Sequence, residues 1–240
     1  MAYYCGIDVS LEQSSVCVVN ASGVIVREAT VSSEPEALIA WLSSLDVPLS
    51  RIGFEAGPLS QWLYAGLAKA DFTVELLETR HVQDAFKVMP VKTDRKDARG
   101  IAQLMQLGWF RSVHCKSLPA QEVRAMLTAR KLVQAKLHDV EMSVRGILRG
   151  FGLKVGPTTP RTFEARVREL VEGHPTLTMI ADALLAARLV LHREFQGFER
   201  KMRSLARRDD RAKLLMSAPG VGVLVSLTYT SAIDDPHRFK

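Results

Sequence analysis

The chain has 240 residues, 47% of them hydrophobic, with a mean hydropathy of +0.04, which allows a packed core and excludes global disorder. No continuous apolar run reaches the ~18 residues that a membrane helix needs, the N-terminus lacks a signal peptide's basic start and apolar stretch, and the three cysteines (Cys5, Cys17, Cys115) are too scattered for a disulfide framework or zinc cluster. A cytoplasmic location and no membrane partner are therefore expected.

Net charge is +6 but unevenly distributed. Residues 1–85 hold 4 Lys/Arg against 11 Asp/Glu, residues 86–168 hold 17 against 6, and residues 169–240 hold 11 against 9. An acidic front before a basic middle fits a polyanion held against an acidic site.

In chain order, Tyr3–Val9, Ser15–Asn20 and Val24–Val31 read as strands, with Ala21-Ser22-Gly23 as the turn between the last two. Glu34–Leu45 has helical spacing through Leu38, Trp41, Leu42 and Leu45. Ile52–Glu55 is a short strand ending at Ala56-Gly57-Pro58, Ser60–Lys69 a helix and Thr73–Leu77 a strand. The order β-β-β-α-β-α-β predicts an α/β fold, a mixed sheet with helices on its faces. Residues 80–93 read as an irregular basic loop broken by Pro90, after which Thr93 caps a helix over about Asp94–Leu107.

Beyond Pro119 the pattern is all-α. Val133, Leu137, Val140, Val144, Ile147 and Phe151 alternate spacings of four and three, as in an a/d seam. The stretch from Gly150 to Pro160, with three Gly and two Pro, breaks the chain before a short helix near Thr162–Glu172. Leu191, Phe195, Phe198, Met202 and Leu205 form a second seam, extended by Leu184 and interrupted by Arg188. Two such helices predict an antiparallel hairpin or an intermolecular coiled coil. The segment from Leu214 opens another unit and stops at Lys240 without a closing element, so a C-terminal truncation is expected.

Four carboxylates carry the chemistry. Asp8 and Glu55 each end a strand that should be buried, where an unpaired charge costs several kcal/mol. Asp94 and Asp97 stand three apart at a helix start and point to one side of it. If the two strands are neighbours and the helix crosses them, the four acids converge and repel unless cations hold them. Hard oxygen donors without His or Cys select Mg²⁺ or Mn²⁺, and two such ions about 3.5–4 Å apart promote phosphodiester displacement. Taken singly, Asp94 and Asp97 are better explained as acids favouring the helix macrodipole. Lys92, Arg95, Lys96 and Arg99 interleave with them and suit a phosphate backbone or a solvated basic face.

Gly6-Ile7-Asp8-Val9-Ser10, Phe54-Glu55-Ala56-Gly57 and Lys92-Thr93-Asp94-Arg95-Lys96-Asp97-Ala98-Arg99 together resemble the DEDD-type insertion-sequence transposases of the insertion sequence 110 family, whose better-studied members are bridge-RNA-guided recombinases. The third motif is the most specific. The resemblance implies a ribonuclease H-like (RuvC-like) catalytic domain over 1–112 and a helical coiled-coil region over 113–210. Residues 211–240 would begin a C-terminal transposase domain, opened by Ala218-Pro219-Gly220-Val221-Gly222. It implies that Asp8, Glu55, Asp94 and Asp97 are the catalytic, metal-binding residues. It further implies DNA and a structured non-coding guide RNA as partners, a homo-oligomer (dimer or tetramer), and a nucleophilic serine beyond residue 240; Ser217, Ser226 and Ser231 lie too close to the Pro-Gly turn to match it. Gly220 and Gly222, in a turn between helices, expose backbone N–H groups suited to a phosphate.

Three other readings compete. A junction nuclease of the RuvC type would share the fold but lack the Pro-Gly domain. A sugar kinase or actin-like ATPase would need further Gly-rich nucleotide turns, which are missing. A non-catalytic fragment would bind nucleic acid and dimerise without cutting.

Overall fold

A computed structural model describes residues 2–87 and 93–239. Lys92 and Pro90 lie outside the described residues. The contacts divide the chain into two compact units, residues 1–116 and 117–240.

In the first unit, β1 (Tyr3–Asp8) is the central strand of a five-stranded sheet in the order β3-β2-β1-β4-β5. It pairs antiparallel with β2 (Gln13–Asn20), which pairs antiparallel with β3 (Ile25–Ser32). On its other side it runs parallel to β4 (Leu49–Glu55), and β4 runs parallel to β5 (Val74–Leu77). This is the mixed sheet expected from the sequence. The β2–β3 turn is held by the Asn20 side-chain carbonyl, which accepts from the N–H groups of Ser22 and Val24 at 2.9 and 3.0 Å. Gly23 takes the left-handed conformation there, with φ of 77°.

Period-two alternation sorts the strands' side chains between two faces. Cys5, Ile7, Ile52 and Phe54 are fully buried against α1 (Pro35–Ser43) and α2 (Ser60–Lys69), with Leu38, Leu42, Leu63 and Leu67. The alternate positions, Gly6 on β1 and Gly53 on β4, face α4 (Asp94–Leu107). A Cβ built on Gly6 falls 2.3 Å from the backbone nitrogen of Ala102 and the backbone oxygen of Ala98. Backbone therefore meets backbone at this crossing, and α4 lies as close to the sheet as two chains can approach. Ala98, Ile101, Ala102 and Met105 are buried there.

The expected loop over 80–93 is corrected: Thr79–Phe86 is a helix, α3. Val82 is fully buried beside Leu77, Ile101 and Met105, with Ala85 and Phe86 packed on the same cluster. The apolar residues at i, i+3 and i+4 supply one short helical stripe, and Glu78–Thr79 begin it directly from the end of β5.

The second unit contains a long helical hairpin, α5 (Leu118–Gly150) and α7 (Pro175–Arg208). Ion pairs Arg130–Glu199 and Arg188–Glu141 make the two antiparallel. Between them α6 (Phe163–Val171) packs with Val144, Leu148, Leu177, Ala181 and Leu185. At the other end α8 (Asp210–Met216) and α9 (Val223–Ile233) pack around Met202, Ala206 and Leu227. Residues 211–240, read from the sequence as a separate beginning, thus lie in the same compact unit as 117–210. The α5 seam departs from expectation at its end: Leu148 is buried, while Ile147 and Phe151 are 37% and 65% exposed. The step after Val144 is four because α6 covers the Leu148 side. Arg188 does not break the α7 seam but lies buried within it, donating to Glu141 at 2.7 Å and to the Pro160 carbonyl at 3.0 Å.

By length and composition α7 contains an 18-residue stretch apolar enough to cross a bilayer. Asp182 and Arg188 of α7 are engaged by Arg168 and Glu141, and its Leu177, Ala181 and Leu185 pack with α5 and α6.

The Gly6 crossing sets a test. Gly6→Ala must push backbone away from backbone and is expected to cost roughly 1–3 kcal/mol, at the upper end of overpacking effects. Gly53→Ala meets the flexible side chain of Met105 at 2.5 Å and should cost less. Urea denaturation of the two variants reads the difference.

Candidate functional site

The alternation that aims Gly6 and Gly53 at α4 also aims Asp8 and Glu55 there, each two residues further along its strand. The strands are in parallel register through Ile7↔Phe54, so Asp8 and Glu55 follow as the next neighbours at the carboxyl ends of adjacent strands. That edge of a parallel pair is where open α/β sheets place their ligands.

A cavity of about 570 Å³ opens at this edge. Asp8, Glu55 and Asp97 all line it, with Ser10 and Leu11 after β1, Gly57 to Ser60 after β4, and Gln83, Phe86 and Lys87 from α3. Three of the four predicted acids are thus brought to one cavity by three separate segments. Asp97 is buried on the fourth residue of α4, and Thr93 caps that helix as predicted, accepting from the Lys96 N–H at 3.3 Å. Asp94 stands one turn earlier, is exposed, and is not among the lining residues.

The rim is built by hydrogen bonds. After β4, the Ser60 hydroxyl accepts from the Gly57 N–H at 3.1 Å and donates to the Gly57 carbonyl at 2.7 Å. Thr79 Oγ1 donates to the Ala56 carbonyl at 3.0 Å and ties α3 to the same loop. After β1, Ser33 donates to the Ser10 carbonyl at 2.7 Å and shares a buried 2.7 Å contact with Ser14. The acids therefore stand on strand ends and a helix turn, and the connecting loops are pinned.

The donors fit a hard divalent cation in kind: carboxylates without His or Cys. As the side chains stand, no three His, Cys, Asp or Glu groups among the described residues converge closely enough to hold an ion together.

The predicted cations have different positions. Arg95 and Arg99 both reach across to Glu28 on β3, which takes two hydrogen bonds from Arg95 at 2.9 and 2.5 Å and two from Arg99. The sequence suited both to a phosphate backbone or a solvated face; in the fold they clamp the first turns of α4 to the sheet. Hydrogen bonds first from Arg99, then from Arg95, hold the Glu28 carboxyl below its ordinary 4.5, at about 2, against the opposing effect of burial. Lys96 is exposed, and Lys92 lies outside the described residues. In the second unit, Gly220 has φ of 82° in an exposed turn, and Gly222 is the N-cap of α9. Ser226 and Ser231 are buried and donate to the Val223 and Leu227 carbonyls of their own helix, a structural use of both hydroxyls.

Sequence reasoning missed Gln83, Phe86 and Lys87, because α3 was read as a loop. The signal was there in the spacing of Val82 and Phe86. It also missed Glu28, whose partners are 67 and 71 residues away.

Comparison with known proteins gives three findings. A family model described as a transposase, the DEDD type of insertion sequence 110, matches residues 5–152. The transposase for insertion sequence element IS1111A of Coxiella burnetii is 24% identical over 240 residues, covering 98% of this chain and 64% of that protein. The chain thus spans about two thirds or slightly less of that relative's length. Among solved structures, T. thermophilus RuvC in complex with Holliday junction substrate is similar with a TM-score of 0.36 and 11% identity, over 47% of this chain and 100% of that one.

The Glu28 clamp predicts a pH-dependent difference. A carboxyl with a depressed folded pKa stabilises the fold above its ordinary value, and that contribution is lost as pH falls toward the folded value. Glu28→Gln should lower stability by about 1–3 kcal/mol at neutral pH. The gap from the parent should stay level from pH 7 to about 5 and close between about 4.5 and 2. Chemical denaturation across pH measures it.

Proposed function

The chain belongs to the DEDD transposase family of the insertion sequence 110 type, and from that membership we propose that it carries the metal-dependent catalytic site of a DNA transposase or recombinase. The observation that carries the proposal is the meeting of Asp8, Glu55 and Asp97 around one cavity at the carboxyl ends of β1 and β4.

In this reading Asp8, Glu55 and Asp97 hold Mg²⁺ or Mn²⁺, joined by Asp94 from the turn before. When bound, such ions stabilise the attacking and leaving oxygens of a phosphodiester displacement. The chain's own part is to orient. The strand ends fix Asp8 and Glu55 side by side, the Gly6 crossing sets the depth of Asp97, and the Glu28 clamp fixes the helix turn carrying it. Lys87 and Gln83 at the α3 rim are placed to meet a phosphate entering the cavity. Lys96 and Lys92 add sequence-independent attraction for the backbone. DNA is the proposed substrate, a structured non-coding RNA the proposed guide, and a dimer or tetramer the working form, since strand exchange requires more than one active site.

The test is a substitution series in this chain with two readouts, Mn²⁺ affinity and Mg²⁺-dependent nicking of DNA. Asp8→Asn, Glu55→Gln and Asp97→Asn are each expected to weaken Mn²⁺ binding at least tenfold, about 1.4 kcal/mol or more, and to abolish nicking, with the fold retained. Asp94→Asn is expected to lower nicking as well. If it served only the helix dipole, it would cost about 0.3–1 kcal/mol of stability and leave nicking unchanged. Parent-level Mn²⁺ affinity in Asp8→Asn and Asp97→Asn would sink the metal site.

A further inference from the structure

We propose that the C-terminal end of α7 carries a second nucleic-acid site, a phosphate-backbone cleft formed by Arg200, Arg203, Arg207 and Arg208. These four arginines and Ser204 line a concavity of about 430 Å³ in the second unit. Positions 200, 203, 204 and 207 follow i, i+3, i+4 and i+7 and share one helix face. Arg208 closes the end.

What distinguishes this cleft is that four arginines gather in it with almost no carboxylate to hold them. Several arginines of the same unit are engaged by acids: Arg130 with Glu199, Arg168 with Glu164 and Asp182, Arg188 with Glu141. Arg200, Arg207 and Arg208 have no carboxylate partner among the described residues. Arg203 lies 3.7 Å from Glu199, which Arg130 already holds at 2.5 Å. The next acids along the chain are committed too. Asp209 caps α8 and meets Arg211 at 3.4 Å, and Asp210 pairs with Lys213 at 2.7 Å.

The helix macrodipole accounts for part of this, since last-turn cations gain about 0.3–1 kcal/mol. It reaches Arg207 and Arg208 but not Arg200 and Arg203, which lie further back. From 200 to 207 the helix rises about 10 Å. A DNA duplex carries about six phosphate charges over that length, so a polymer answers the whole row, whereas a single free phosphate answers one or two members. Guanidinium forks bind phosphate oxygens two at a time, and Ser204 adds a neutral donor in the middle. The cleft lies in the segment of lower net charge, outside the basic middle, and is independent of the carboxylate cavity.

The experiment uses the complete 240-residue chain and measures binding of labelled DNA duplex and labelled RNA hairpin, both of arbitrary sequence, over a salt series. The variant is Arg200→Gln/Arg203→Gln/Arg207→Gln/Arg208→Gln, since Gln keeps helix propensity close to that of Arg. Its circular dichroism and denaturation midpoint are recorded beside the parent's. A control, Arg193→Gln/Lys213→Gln, removes two self-paired surface cations. The site predicts that the variant's slope of log affinity against log salt flattens by about 3 on duplex, near 0.9 for each lost phosphate contact, with affinity down tenfold or more. The control should flatten by less than 1. Loss on the duplex identifies DNA as the ligand; loss on the hairpin alone, with duplex binding kept, overturns it. A folded variant that binds both as the parent does overturns the site. So does one that loses only binding to phosphatidylserine vesicles. The salt series is run in EDTA, without Mg²⁺ or Mn²⁺, so failure of the metal site and failure of this cleft read out separately.

Discussion

The first unit depends on one close approach, backbone against backbone, where α4 crosses β1 at Gly6. Any side chain at that position collides with Ala98 and Ala102. The crossing sets how deep the helix lies, and so how near Asp97 comes to the strand ends that carry Asp8 and Glu55. Everything beside it serves that depth. Ala98 and Ala102 are small, Met105 yields to Gly53, and Glu28 ties the helix's first turns to β3 through two arginines. A carboxylate site assembled from three distant segments needs such a constraint, because the acids repel one another and contribute no cohesion.

Much of this was legible in the sequence. The five strands were read within a few residues of their observed positions, α2 and α4 begin and end at the predicted residues, and the Thr93 cap is as expected. The parity of Gly6 and Asp8 on one strand, and of Gly53 and Glu55 on the next, was also present, but its meaning appears only once α4 is placed on that face. Local pattern does not report partners 67 residues apart, so Arg95 and Arg99 looked like free cations although Glu28 holds them. The α3 helix was hidden by its brevity and by the basic, Pro-containing stretch that follows.

The second unit shows the same limit differently. Arg188 appeared to interrupt an apolar seam. In the fold it is satisfied at once by Glu141, by the Pro160 carbonyl and by the face of the Phe163 ring at 4.8 Å. A buried arginine so paired is costly to truncate, about 3–5 kcal/mol where one partner is left alone, and it ties the hairpin to its connector. The seam shifts at Leu148 for a related reason: α6 covers one side of α5 there, and a two-helix pattern cannot anticipate a third helix.

The central claim is that Asp8, Glu55 and Asp97 together bind divalent metal in the cavity at the ends of β1 and β4. Diffraction from crystals grown with Mn²⁺, recorded at the manganese absorption edge, tests it most directly. The account predicts anomalous density inside that cavity, bounded by oxygens of all three carboxylates. Ordered Mn²⁺ elsewhere on the chain, with none between these three side chains, would contradict it.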